Sequence, residues 1–337
     1  MHYDFLLEGY GASTAVVRGA GRRAAGIGRA DDGLRWRPVT TLLEVEGRRI
    51  ELSNPDKVLY PDDGYRKRDV IEYFRSVADV MVAHTRGKPM TLRRFPDGIG
   101  SGGFFQKEAS SHFPDWVRVA AVPQRGAPGT VHHVVVDDAA TLLYLAGQAC
   151  LEFHIGLSTV DNLDRPTLAV LDLDPPEGAD LPELRAVVRR MCERFRDAGL
   201  PPHVQATGGK GFHVAAALRG ERGFDEVRAA IRELAEQAAR DEPDRLTIEQ
   251  RKDKRGNRIF LDTNRNAYGQ TMIAPYSLRA RPGAPAATPL DLDELGRAAP
   301  QSYGLANMAR RLAQKDDPWT GLEDARSGSD FPHPDNH

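Results

Sequence analysis

Three stretches of the chain repeat apolar side chains at helical spacing. Over residues 69–83, Val70, Ile71, Phe74, Val77, Ala78 and Met81 fall on one helical face, with charged residues between them. Residues 180–198 repeat the pattern through Leu184, Val187, Val188, Met191 and Phe195. Asp180 stands where a cap is needed, Glu183 follows three residues on, and Gly199 marks the end. A third helix is predicted over residues 224–240, with Val227, Ile231 and Leu234 inward. Short apolar runs predict strands over 131–136, 168–173, 203–206, 212–218, 258–261 and 271–274. Two of them flank Gly208-Gly209-Lys210-Gly211 and read as a hairpin. From Leu168 onward the order strand, helix, hairpin, helix, strand predicts a β-α-β-β-α-β core. A first lobe over residues 42–162 is expected to pack on a second over 163–322, giving a two-lobed α+β fold with a cleft between. Residues 1–40, rich in Gly and Arg, are expected to be a flexible extension, and residues 323–337 a frayed polar tail.

Composition removes several function classes. Two cysteines, Cys150 and Cys192, make neither a disulfide framework nor a thiolate metal site; both are expected as buried, inert thiols in apolar helical patterns. There is no apolar run of membrane-spanning length and no signal-peptide core, so a cytoplasmic protein without a membrane partner is expected. The net charge of -2 does not announce a nucleic-acid binder, which moves attention to local charge. Between Arg245 and Arg281, nine Lys or Arg face three Asp or Glu, a local +6.

Asp172 and Asp174 end the strand Leu168-Ala-Val-Leu-Asp-Leu-Asp, just before Pro175 and Pro176. Two residues apart on a strand, they share a face, and two carboxylates there repel unless a cation lies between them. Hard divalent ions such as Mg²⁺ and Mn²⁺ take such oxygen ligands. Taken alone, the pair serves equally well as a solvated strand end. Gln205-Ala-Thr207-Gly-Gly-Lys210-Gly-Phe-His213 combines a hydroxyl, a fixed cation and an imidazole around glycines, which suits a triphosphate. It is not a P-loop, since no Ser or Thr follows the lysine. A basic loop with Lys252, Lys254, Arg255 and Arg258 runs into a short apolar strand ending in Asp262, with Arg265 after it; a single acid there makes sense if a cation recruits it. Arg279 and Arg281 follow, and guanidinium forks match phosphate oxygens. Phe104 and Phe105 cannot both face one core from a strand, so one or both can offer a stacking surface beside Lys107. Asn54, Lys57 and Lys67 bracket a Pro turn before a helix start, a place for a phosphate. Six of only eight lysines, Lys57, Lys67, Lys107, Lys210, Lys252 and Lys254, fall in these segments. If residues 150–154 form a strand, Glu152 and His154 share a face.

In combination these segments resemble the polymerase domain of bacterial end-joining DNA ligase D, a branch of the archaeo-eukaryotic primase superfamily, over roughly residues 42–321. The resemblance implies a primase-like catalytic core with an RRM-like module. It implies that Asp172, Asp174 and Asp262 hold two metal ions, Mn²⁺ or Mg²⁺, and that His154, Thr207, Lys210 and His213 line the incoming triphosphate, with Arg279 nearby. Arg265, Gln270 and Arg281 complete the candidate nucleotide set. Asn54, Lys57 and Lys67 look like the pocket for a 5′-phosphate at a DNA gap or break. Phe104 and Phe105 look like the template-stacking pair, with Lys107 beside them, and Arg255 lies in the loop that resembles the one organising the primer terminus. Thr207 stands where Ser is usual in the family, which keeps the hydroxyl.

The expected reaction is in-line attack of a primer 3′-hydroxyl on the α-phosphate of a nucleoside triphosphate, with Lys210 and Arg279 neutralising developing charge. By resemblance alone, ribonucleotides and Mn²⁺ are preferred, the setting is the bacterial nucleoid, and Ku and a separate DNA ligase are partners. No Lys-x-Asp-Gly adenylation motif occurs. The chain is therefore not expected to seal a nick, and it reads as a stand-alone polymerase or an excised domain. Three alternatives stay open: a de novo primase, an Asp-x-Asp Mn-dependent glycosyltransferase, and a catalytically silent nucleic-acid binding module.

Overall fold

A computed structural model describes residues 40–322, so the expectations for the first and last segments lie outside the described residues. Two six-stranded sheets organise the chain. The first runs Thr271–Ile273, Cys150–Gly156, Pro89–Arg94, Thr130–Val135, Val119–Pro123, with Phe104–Gln106 also paired to Pro89–Arg94. Helices Lys67–Ser76, Ala78–Thr85 and Ala139–Gly147 share its core, where Phe74 meets Phe153 edge to face at 5.1 Å. The single helix expected over 69–83 is broken at Val77. The Ser76 hydroxyl donates to the Tyr73 carbonyl at 2.7 Å and competes there with the helical ladder.

The second sheet runs Leu246–Thr247, Ile259–Asp262, Leu168–Asp174, Phe212–Ala217, His203–Ala206, Thr288–Leu290. Its four central strands take the RRM-like order, all antiparallel. Helices Leu181–Asp197 and Phe224–Asp241 cover one face, and the Asp180 carboxylate caps the first by accepting from the Glu183 N–H at 3.0 Å. Strict alternation divides the strand Leu168–Asp174 between two cores. Ala169, Leu171 and Leu173 pack under the helices, while Leu168 and Val170 join the first lobe's core. The chain is thus an α+β fold whose RRM-like sheet is covered on both faces.

The boundary expected at residue 162 does not separate the two sheets. Thr271–Ile273, expected in the second lobe, hydrogen-bonds into the first lobe's sheet beside Cys150–Gly156. Its apolar Met272 is buried there, which a lone edge position on the RRM-like sheet would not provide. The C-terminal segment then stitches both lobes. The Trp319 indole donates to the Val204 carbonyl at 3.1 Å, and the Tyr276 hydroxyl donates to Asp317 at 2.7 Å. Both cysteines are buried, as expected, but Cys150 opens a strand and only Cys192 lies on a helix. Burial pushes the Cys192 thiol up to about 12. Among the described residues no helix is long and apolar enough to cross a membrane.

Candidate active site

Sheet register brings the three acids together. Asp172 lies directly opposite Asp262 on one neighbouring strand and opposite His213 on the other, a row of three side chains across three strands. Cross-strand neighbours of this kind have Cβ atoms about 5 Å apart. Asp174 follows on the same face, one step along, opposite Phe260. All four face the first lobe, and with His154 and Ile273 from its sheet they line a cavity of about 690 Å³.

Two of the three acids are engaged by cations of this chain. Asp172 Oδ2 accepts from Arg265 Nε and Nη2, both at 3.3 Å, and Oδ1 lies 3.7 Å from His213 Nε2. Burial pushes the Asp172 carboxyl up, but His213 and Arg265 more than reverse it, so it stays below the usual aspartate range and ionised at neutral pH. Asp174 Oδ2 accepts from Arg255 Nη1 at 3.3 Å. Arg255 is itself fixed, 3.6 Å over the Phe260 ring and donating to the Glu249 and Gln250 carbonyls. Asp262 Oδ1 accepts from the Asn264 N–H at 2.9 Å. Among the described residues, no three His, Cys, Asp or Glu side chains stand closed around one point. The trio is a set of converging carboxylates, two held by guanidiniums and Asp262 by a backbone N–H.

The hairpin confirms the Gly-rich turn but changes its reason. A Cβ on Gly211 would sit 1.8 Å from the Leu173 carbonyl oxygen, and one on Gly208 would sit 2.7 Å from Arg279 Cγ. The glycines let the hairpin lie against the Asp172 strand and the Arg279 stem. Their N–H groups are partly engaged within the protein: Gly208 donates to the Pro300 carbonyl and Gly209 to Thr207 Oγ1. The Thr207 hydroxyl donates to the Gly211 carbonyl at 2.9 Å, so it braces the turn. Lys210 remains as the cation the turn presents to the cavity.

His154, Asp172, Asp174, Thr207, Lys210, His213, Arg255, Asp262, Arg265, Arg279 and Arg281 all line this one cavity. Seven Lys or Arg line it against four Asp or Glu, an excess of three positive charges. Gln270 does not join them. It follows Gly269, which has a left-handed φ of +73°, and lines a separate small apolar cavity with Tyr268 and Pro89. Asn54, Lys57, Lys67, Phe104, Phe105 and Lys107 lie outside the main cavity. Phe105 borders it, its ring 5.8 Å from that of His154.

The Lys57–Lys67 region is a second basic site. The Lys67 N–H donates to the Lys57 carbonyl at 2.8 Å, which fixes their backbones side by side, and Asn54 precedes them at a left-handed φ of +51°. Lys57 Nζ pairs with Asp97 at 2.7 Å, and Lys67 Nζ donates to the Ser53 carbonyl at 2.9 Å. Burial lowers the Lys67 pKa, and Lys57 and Arg94 lower it further. Lys107 is exposed after the Phe104–Gln106 strand, apart from this pair.

Three positions that contact these candidate residues or act on their charge carried no assignment in the sequence. Arg94, in sequence one of two arginines at an apolar strand's end, donates to Gln148 and Gln106, and its charge lowers the Lys67 pKa. Gln205 is fully buried and reaches His213 Nδ1 at 3.4 Å, which orients the ring so that Nε2 meets Asp172. Glu152 collects Arg93, Arg279 and His154. The alternation of Glu152 with His154 was the available signal; the convergence of distant segments on it was not visible.

An RRM-like sheet carrying three acids opposite a cation-lined cleft defines a primase-type nucleotidyl transferase. Residues 66–319 match the family model described as LigD, primase-polymerase domain, and the chain belongs to that family. The multifunctional non-homologous end joining protein LigD of Mycolicibacterium smegmatis is 33% identical over 73% of this chain and 32% of its own length. The Pseudomonas aeruginosa protein of the same name is 30% identical over 94% of this chain and 36% of its own length. The chain therefore spans about a third of the length of the curated relatives it matches. Among solved structures, the polymerase domain of Mycobacterium tuberculosis ligase D in complex with DNA superposes with a TM-score of 0.76. It is 30% identical over 83% of this chain and 99% of that one.

Proposed function

We propose that this chain extends primer 3′ ends with nucleoside triphosphates on a DNA template, at gaps and broken ends bearing a 5′-phosphate. The observation that carries this reading is the Asp262–Asp172–His213 row with Asp174, facing a cavity with an excess of three positive charges. The donor set fits hard divalent ions, since it consists of carboxylate oxygens without a soft ligand. Two ions, Mn²⁺ or Mg²⁺, bound among Asp172, Asp174 and Asp262 would supply activation of the attacking hydroxyl and charge neutralisation at the leaving pyrophosphate. Arg265 and Arg255 now hold the oxygens of Asp172 and Asp174 that such ions would take.

Within that frame Lys210, Arg279 and Arg281 hold the triphosphate by charge-assisted hydrogen bonds. His213 orients Asp172, and Arg255 stands between Asp174 and the approach of the primer. Lys57 and Lys67 receive the downstream 5′-phosphate, with Asn54 turning the chain between strands. Phe104 and Phe105 stack template bases. The broken ends would be held by Ku and sealed by a separate DNA ligase, in the cytoplasm of a bacterium at the nucleoid.

The test is incorporation on primed, unprimed and gapped DNA, with Mn²⁺, with Mg²⁺ and with EDTA. Primer-dependent, template-matched extension that EDTA abolishes is expected. Product on unprimed DNA would move the reading to a de novo primase. Metal-independent DNA binding with no incorporation on any substrate would end it.

A further inference from the structure

Glu152 is only 2% exposed, yet it lies on the cleft side of its strand, two residues from His154. Its carboxylate gathers donors from three parts of the chain. Arg93 Nη1, from the neighbouring strand, reaches both oxygens at 3.3 Å. Arg279 Nε reaches Oε1 at 3.3 Å, and the Ala280 N–H reaches it at 3.0 Å. His154 Nε2 donates to Oε2 at 3.2 Å. Burial pushes this carboxyl up, but His154, Arg279 and the Ala280 N–H more than reverse it, and it stays ionised.

A buried ion pair is weak evidence of stability, because desolvation offsets most of the attraction. What this cluster does decide is orientation. Arg279 is held at two points, by Glu152 through Nε and by the Thr207 carbonyl through Nη1 at 3.0 Å. Neither tie uses Nη2. The stem of Arg279 also runs so close to Gly208 that a Cβ there would lie 2.7 Å from its Cγ. The guanidinium is therefore set before a ligand arrives. On the other side, Arg93 lies 5.2 Å over the Phe105 ring, which also meets the His154 ring at 5.8 Å.

We propose that Glu152 is a positioning residue: it holds Arg279 and His154 in the geometry that receives the triphosphate and, through Arg93, joins that geometry to the Phe105 ring. This rests on the reading that the cavity takes a nucleoside triphosphate. A purely electrostatic role predicts the opposite sign, because removing a negative charge beside an anion site should tighten binding.

The experiment uses the full chain with Glu152→Gln, Glu152→Asp, Arg279→Ala and the Gln/Ala double variant. Nucleotide affinity is measured on gapped DNA with a dideoxy-terminated primer, alongside KM, kcat and melting temperature. Glu152→Gln should weaken nucleotide affinity and raise KM by about tenfold, with a smaller change in kcat. Glu152→Asp, which keeps the charge and carries the comparison if the amide misfolds, should recover part of the loss. Arg279→Ala should cost several-fold less in the Glu152→Gln background than in the wild type, because the two act as one unit. Wild-type affinity, tighter binding or strict additivity overturns the proposal while leaving the polymerase reading intact. A wild-type protein that binds no nucleoside triphosphate overturns both.

Discussion

The acid row and the Lys57–Lys67 pair both meet phosphate in the proposed reaction, but they are built on opposite plans. The acids sit on inner strands of a sheet, where register fixes their spacing, and two of them already hold an arginine. The lysines sit in a turn just before a short strand and at a helix start. Lys57 has one exposed acid as its partner, and Lys67 has a neutral carbonyl. The first region balances most of its charge internally, so in the proposed reaction its guanidiniums would give way to an entering cation. The second leaves positive charge unbalanced in a partly buried place, a standing attraction for an anion. On the proposed reading, one serves turnover and the other holding.

The largest way to separate them is Asp262→Asn, which keeps the shape and removes one charge. Extension should fall by about 10³-fold or more, the scale of losing a principal electrostatic contributor in a preorganised site. Binding to a 5′-phosphorylated gap, measured by fluorescence anisotropy, should not change. Extension within tenfold of wild type would show that the row does not act as a unit.

Lys67→Met gives the complementary break. The side chain is 7% exposed, so a thioether of similar length keeps the packing. Preference for a 5′-phosphate over a 5′-hydroxyl should drop about tenfold, the worth of one charge-assisted hydrogen bond. The slope of log affinity against log salt should become shallower by about one. The sign of the pH dependence also follows. Burial, Lys57 and Arg94 lower the Lys67 pKa, so its charge is present at low pH and is lost as pH rises through a value below that of an ordinary lysine. The 5′-phosphate preference should therefore weaken on the alkaline side sooner than the phosphate grip of exposed lysines does. A preference that is flat through that range, or unchanged in the methionine variant, rejects the pocket.

The contrast also explains how much could be read from the residues alone. Asp172 and Asp174 were legible because a strand's two-residue period is local, and the hairpin because its glycines are adjacent. Asp262 could be singled out as an acid in a basic segment, but its place opposite Asp172 depends on strand pairing across 90 residues. The Thr271–Ile273 strand is expected in the other lobe because nothing in so short a run says which sheet it completes. Glu152 was visible only as a neighbour of His154. Its partners Arg93 and Arg279 lie 59 and 127 residues away, and only the fold brings them to one carboxylate. The reason for Gly211 was hidden likewise, since the atom it avoids belongs to Leu173 on another strand.

The smallest expected effect tests where the two regions meet. Phe104 and Phe105 are 48% and 60% exposed on an edge strand, so truncating either should cost the fold little. Adjacent strand positions point to opposite faces, and their cross-strand partners differ: Phe104 lies beside Arg94, and Phe105 beside Arg93. Arg94 donates to Gln148 and Gln106 and its charge lowers the Lys67 pKa, whereas Arg93 is tied to Glu152 and so to Arg279. The two rings should therefore report to different sites. Phe105→Ala should raise nucleotide KM roughly fivefold, close to 1 kcal/mol of lost stacking. Phe104→Ala should leave KM near wild type and weaken the 5′-phosphate preference by a similar factor. If both variants move both readouts equally, the rings form one shared platform and the division between the turnover site and the holding site does not reach the template.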